Sequence, residues 1–191
     1  MSKITVKALT YAKYSAGGDG SSITYTGGKQ KTDYLCRAEL TEQRSSVKEH
    51  ADGRQIDSDN ILTGVQLALE LANNDDDIKK DILGFTTDDG DLIATGDDAP
   101  YVGIGYVLAN RFKRTVTYEA RWVYKMQFSR SPEAVETRRD QTAFQHETIN
   151  GDGEGCVFTA GGKTWFYAEK NGMTEESLAT EWLKTKAQIS G

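Results

Sequence analysis

Apolar and polar residues alternate with a period of two along much of this chain. From Thr115 to Phe128 (TVTYEARWVYKMQF), Val116, Tyr118, Ala120, Trp122, Tyr124, Met126 and Phe128 fall in one phase. Thr115, Thr117, Glu119, Arg121, Lys125 and Gln127 fall in the other, and only Val123 breaks the pattern. That alternation predicts a long strand buried on one face. Ile61 to Leu71 alternates through Ile61, Val65, Leu67, Leu69 and Leu71. Tyr101 to Leu108 does so through Val102, Ile104, Tyr106 and Leu108, opposite Gly103 and Gly105. Shorter strands are predicted at Lys3 to Leu9, Ser22 to Thr26, Tyr34 to Thr41, Thr142 to Ile149, Gly155 to Thr159 and Thr164 to Ala168.

Turn residues separate these segments. Gly17-Gly18-Asp19-Gly20, Gly27-Gly28, Asp89-Gly90, Asn150-Gly151 and Gly161-Gly162 all supply easy positive φ between strands. Two segments change period. Asp75 to Leu83 opens with acids and stops at Gly84, which predicts a short helix. Thr174 to Ala187 predicts a C-terminal helix with Thr174 as N-cap and an apolar stripe of Leu178, Trp182 and Leu183. The expectation is one mainly-β domain over residues 1–191, with a short internal helix and a C-terminal helix.

Charge sharpens this picture. The 191 residues carry 23 Lys+Arg and 29 Asp+Glu, a net charge of −6. Residues 51–100 alone hold 13 acidic groups against 3 basic ones, while the blocks on either side are each net positive. Such a block usually forms a solvated face or loop set. The acidic balance speaks against a dedicated nucleic-acid-binding surface. No run approaches the roughly 18 apolar residues of a membrane span, and MSKITVKALTY lacks the apolar stretch of a signal peptide. Synthesis in the cytoplasm is the expectation. Cys36 and Cys156 read as two reduced, half-buried thiols.

Catalytic signatures are weak. Gly162-Lys163-Thr164 lacks the earlier glycine of a phosphate loop, because that position is Val157. Asn150 to Gly155 imitates half a calcium loop, but its twelfth position is Gly161 where a bidentate Glu is needed. His50 and His146 do not have zinc-ligand spacing to the cysteines. No nucleophile elbow is present. Neither a catalytic residue, a cofactor nor a metal is assigned, and an enzyme is not expected. Tyr118, Trp122, Tyr124 and Trp182 read as core, whereas Trp165 and Tyr167 are left as a possible stacking platform.

The order of segments carries more than any single motif. The strand YLCRAELTEQRSSVKEHADG is followed by acidic IDSDN and by GVQLALELANNDDDIKKDILG. Next come DDAPYVGIGYVLANR and RWVYKMQFSRSPEAVETRRDQTAFQHETINGDGEG. With Leu83-Gly84 after the acidic helix, Phe128-Ser129-Arg130-Ser131-Pro132 and Thr137, this series resembles the major tail (tail tube) proteins of long-tailed, siphovirus-type phages. The likeness covers residues 35–155; residues 156–191 are less typical.

The resemblance implies a β-sandwich or partial barrel of tail-tube type. It implies a structural virion protein whose hexameric rings stack into a tube that conducts DNA during ejection. The implied partners are further copies of the chain, a tape measure, a tail terminator and passing DNA, with assembly in the host cytoplasm and no membrane. Arg44 to Asn60 is expected to be a long mobile loop, and the resemblance gives it contact with the next ring through Arg44, Lys48, Glu49, Asp52, Arg54, Asp57 and Asp59. Thr115, Thr117, Glu119, Arg121, Lys125 and Gln127 would be the polar barrel face. The alternatives are the tube of a contractile tail or a phage-tail-like bacteriocin, and a carbohydrate- or cell-surface-binding β-sandwich using Trp165 and Tyr167.

Overall fold

The computed structural model describes residues 2–16, 23–32, 34–51, 54–73, 75–132, 146–158 and 163–189. The first four strands are β1 (Ser2–Ala16), β2 (Ile23–Lys31), β3 (Leu35–Ala51) and β4 (Arg54–Leu71). Helix α1 (Asp76–Ile82) and a small hairpin of β5 (Thr86–Asp88) and β6 (Asp91–Ile93) follow. Then come β7 (Val102–Phe112), β8 (Thr115–Arg130) and β9 (Glu147–Gly153). A second small hairpin of β10 (Cys156–Phe158) and β11 (Lys163–Trp165) leads to β12 (Tyr167–Met173) and α2 (Glu176–Lys186). Gly17 to Gly20, Thr137 and Gly161-Gly162 lie outside the described residues, as does the first half of the predicted strand Thr142 to Ile149.

The chain is mainly β. Among the described residues, one large antiparallel sheet runs β2-β1-β7-β8-β9-β4-β3. The outer edge of β8 is shared: β9 pairs with residues 126–130 and β12 with residues 118–123. The sheet curls, because Leu9 and Tyr11 of β1 share one core with Leu35 of β3 from the opposite end. It does not close into a barrel. Leu67, Leu69, Ile104, Tyr106, Ile149 and α1 residues Ile78 and Ile82 fill that core. A second core lies on the other side of the sheet, under α2, and contains Ala120, Trp122, Tyr124, Ala179 and Leu183.

Strand β8 serves both cores because it carries one residue too many. Val102 of β7 pairs with Met126 and Ile104 with Val123, so two steps on β7 face three on β8. This β-bulge switches the phase of every side chain beyond it. Ala120, Trp122 and Tyr124 point to the α2 core, whereas Val123, Met126 and Phe128 point to the other. The predicted single apolar face is therefore corrected to two half-faces, with Val123 in phase on its own side. Val116 and Ile61 also leave the core, at 39% and 55% exposed.

Glycines open the space that Trp122 needs. A Cβ on Gly103 would meet the Tyr25 ring and come within 2.5 Å of Trp122, and one on Gly105 would lie 2.6 Å from Leu183. Trp122 Nε1 donates to Tyr25 Oη at 3.2 Å, which donates to the Tyr124 carbonyl at 2.7 Å. Every polar atom of that aromatic stack is thereby satisfied in the dry interior. The two other expected glycine turns are corrected. Gly27-Gly28 sits in an irregular stretch within β2, with Gly27 at φ +62°, and Asn150-Gly151 lies inside β9 beneath the Phe128 ring. Asp89-Gly90 is a turn as expected, both residues having positive φ.

Helix α1 forms where the acids predicted it. Asp75 caps it by accepting from the Ile78 amide at 3.0 Å, and Gly84 at φ +76° follows its end. Its acidic side faces three lysines from the other end of the sheet. Lys31 reaches Asp75 at 2.7 Å and Asp77 at 3.1 Å, Lys29 reaches Asp77 and Asp81, and Lys13 reaches Asp81 at 2.9 Å. Helix α2 begins later than predicted, with Glu175 rather than Thr174 at the cap position. It buries Ala179, Leu183 and Ala187, leaving Leu178 51% exposed and Trp182 half-buried. Leu183 is the bulky residue of that buried side, and it fits because Gly105 beneath it has no side chain.

The aromatic stack decides the sign of a test. Gly103→Ala would gain about 0.4–1 kcal/mol from the stiffer unfolded chain. Overpacking against two rigid rings costs about 1–3 kcal/mol. Net destabilisation is expected as a lower denaturant midpoint; an unchanged or raised midpoint would contradict this packing. The clamp predicts an acid dependence. For Asp75 and Asp81 burial opposes ionisation, but donation from the lysines outweighs it, and Asp77 is lowered chiefly by Lys31. Depressed carboxyl pKa values give stability that is full above the usual range, about pH 4, and lost below it. Asp81→Asn should flatten the acid limb of stability against pH, and an unaltered slope would remove the clamp from it.

Candidate assembly surface

Outside the α2 core, no described helix covers the same side of the sheet. Register brings Arg37, Glu39 and Thr41 of β3 opposite Glu70, Ala68 and Gln66 of β4. Those three in turn face Thr148, Asn150 and Asp152 of β9. Gln127 and Ser129 of β8 continue the row beside Asp152 and Asn150. Alternation explains it: these residues occupy the phase opposite Leu67, Leu69, Leu71 and Ile149, which enter the core. Gln66 Nε2 donates to Asp152 at 2.9 Å, and Arg37 pairs with Glu39 at 2.7 Å. A groove of about 450 Å³ runs between Glu39, Thr41, Gln66, Asn150 and Asp152. The result is a four-strand wet face with more acidic than basic groups.

The six residues expected to form one polar strand face are divided by the bulge. Thr115, Thr117, Glu119 and Arg121 fall on the side of Val123. Glu119 is only 8% exposed, accepting from Arg121 Nε at 2.6 Å and Asn110 Nδ2 at 3.1 Å. Arg121 also reaches Glu169 at 2.9 Å. Burial works against the Arg121 charge, yet the Glu119 hydrogen bond and nearby charges raise its pKa. Lys125 and Gln127 fall on the other side. Lys125 pairs with Glu154 and lies 4.0 Å from the Tyr101 ring centre; Gln127 donates to the Ala99 carbonyl at 2.7 Å. Only these last two adjoin the wet face. The signal for its other members lay in Gln66 and Glu70, the polar phase of the Ile61 to Leu71 alternation.

The expected loop at Arg44 to Asn60 is corrected to a ribbon. Antiparallel pairing continues through Arg44↔Leu62, Ser46↔Asn60, Lys48↔Ser58 and Ala51↔Arg54. Alternation could not reveal it, because the sequence from Arg44 to Asn60 has no apolar phase. Beyond Val65 no described strand other than β3 pairs with β4, leaving 11 residues of β4 in a two-stranded arm. At the usual strand rise the arm is roughly 35 Å long. Arg44, Lys48 and Asp59 are exposed on it. Glu49, Arg54 and Asp57 are placed by backbone register alone, and Asp52 lies outside the described residues.

Other expected chemistry is redistributed. Asp75, Asp77 and Asp81 of the acidic block are neutralised in the α1 clamp, while Asp88, Asp89, Asp91, Asp97 and Asp98 are exposed. Among the described residues no group of three or more His, Cys, Asp or Glu is placed to hold a metal. Cys36 and His146, 110 positions apart, are brought together at 3.8 Å. The two thiols, expected to be alike and half-buried, differ: Cys36 is exposed and Cys156 buried. Burial raises the Cys156 pKa.

No protein-family model and no curated protein matches this sequence. The assignment of a surface therefore rests on geometry. A thiol reagent gives a direct check of that geometry. The folded protein should react rapidly at one thiol, lost in Cys36→Ser, and release the second only on unfolding. Two fast thiols in the native state would contradict the burial of Cys156.

Proposed function

We propose that this chain is a structural subunit of a phage tail tube, whose stacked rings conduct DNA. The observation that carries the reading is the β3–β4 arm. An isolated two-stranded ribbon is at best marginally stable in water, so one extending 11 residues past its last supporting strand calls for a partner surface. A neighbouring ring supplies it, with Lys48 and Asp59 among the contacts and Arg44 left at the base of the arm.

The curled, open sheet supports the finer reading of a tail-tube-type partial barrel. Its terminal strands β2 and β3 have no ladder to each other among the described residues, so each has an edge for a neighbouring subunit. Head-to-tail pairing closes a ring, hexameric in this reading, and stacking stays open-ended. Such permanent interfaces bury on the order of 2,000 Å² or more. The wet face of β3, β4, β9 and the end of β8 then takes the lumen in place of the β8 face expected from sequence. Its acidic excess repels phosphates and its polar groups stay hydrated, so DNA passes without being held. Tape-measure and terminator proteins are the further partners, and the chemistry is that of a conduit.

Negative-stain electron microscopy of concentrated protein is expected to show sixfold rings or hollow tubes. Replacing residues 46–60 by a two-residue Asn-Gly turn joins the register partners Ser45 and Ile61. That variant should remain folded by circular dichroism and form no tubes. Persistent wild-type monomers at high concentration would defeat the tube reading, and normal tubes from the shortened variant would defeat the role of the arm.

A further inference from the structure

The cleft at the base of the arm is not used by the conduit. Its volume is about 440 Å³, within the range of small-ligand sites, and it lies between Glu42, Arg44 and Leu62 on one side and Trp165 and Tyr167 on the other. We propose that this cleft binds a neutral pyranose, as a saccharide site independent of tube assembly.

Its two walls match the two faces of such a sugar. Trp165 is 41% exposed at the cleft, an uncommon position for a large flat apolar group, and offers its surface to the C–H face of a ring. Leu62 and the buried Phe166 continue the apolar lining. Glu42 stands among them as a fixed acceptor. Its carboxylate accepts from the Tyr167 hydroxyl and from Arg44 Nε at 2.8 Å. Those bonds, the Tyr167 bond first, hold Glu42 below the usual carboxylate range, and the Tyr167 phenol is pushed up to about 12 chiefly by the same bond. The acceptor is thus ionised and positioned before any ligand arrives; Oε2 is taken up by Arg44 Nε and Nη2, both at 2.8 Å, and Oε1 retains lone-pair capacity for a sugar hydroxyl. The Arg44 guanidinium and Thr164 hydroxyl add donors at the rim. A guanidinium already paired with Glu42 favours hydroxyl groups over a second anion, which selects neutral sugars.

The test uses the full-length protein below its assembly concentration. Saturation-transfer NMR is run against methyl glucoside, galactoside, mannoside, rhamnoside and N-acetylglucosaminide, and against maltose and cellobiose. At least one should bind at millimolar concentration, with transfer to its ring C–H protons. Trp165→Ala should weaken it about tenfold or more, the scale of one lost aromatic contact. Glu42→Gln, which keeps the shape and removes the charge, should weaken it too, with both variants folded by circular dichroism. Absence of binding across the panel would overturn the proposal. So would affinity unchanged in both folded variants, or binding confined to sialic acid as an anionic control.

Discussion

A strand presents its side chains alternately to two faces, so one inserted residue exchanges everything that follows. In β8 that insertion between Val123 and Met126 is the constraint on which the architecture depends. Before it, the strand gives Trp122 to the helix-covered core and Arg121 to the opposite side; beyond it, Met126 and Phe128 enter the curled core. Without the extra residue, Met126 and Phe128 would emerge on the wet face and Lys125 and Gln127 would be driven inside. The same residue therefore lets one sheet be dry on both sides at one end and wet on one side at the other.

Electrostatics is likewise local. A net charge concentrated in residues 51–100 suggests a uniformly acidic surface, yet three of those carboxylates are spent on lysines from β1 and β2. The ion pairs are partly exposed and individually modest. Their placement matters more than their strength, since they hold α1 against the opposite end of the curled sheet. What remains for the surface includes Asp76, Asp59 on the arm, the acidity of the β5–β6 region and a smaller excess on the wet face.

The legible parts of the fold had one apolar phase or a turn with its own chemistry. The inner half of β4, β7, the Asp89-Gly90 hairpin and α1 belong to that group. The arm did not, because its polar sequence from Arg44 to Asn60 carries no periodic signal and leaves only backbone pairing. The bulge left a single trace, the apolar Val123 in a polar phase. The buried side of α2 was only partly legible, because it combines Leu183 of the expected stripe with Ala179 and Ala187 and leaves Leu178 exposed. Nor could local pattern show the ion pairs, whose partners such as Lys31 and Asp75 are 44 positions apart. Of the candidate barrel residues, Lys125 and Gln127 adjoin the wet face, while Glu119 and Arg121 neutralise each other below the surface.

The strand order also says something about time. Strand β1, made first, lies between β2 and β7, and its ladder to β7 joins residues about 100 positions apart. During synthesis the β1–β2 hairpin must wait for β7 to be made before its inner edge is covered. Pairings of that range close slowly. The helix that covers the second core is formed by residues near the end of the described chain. The sheet therefore cannot reach its final curvature, or present its edges in their final relation, until α2 has been made.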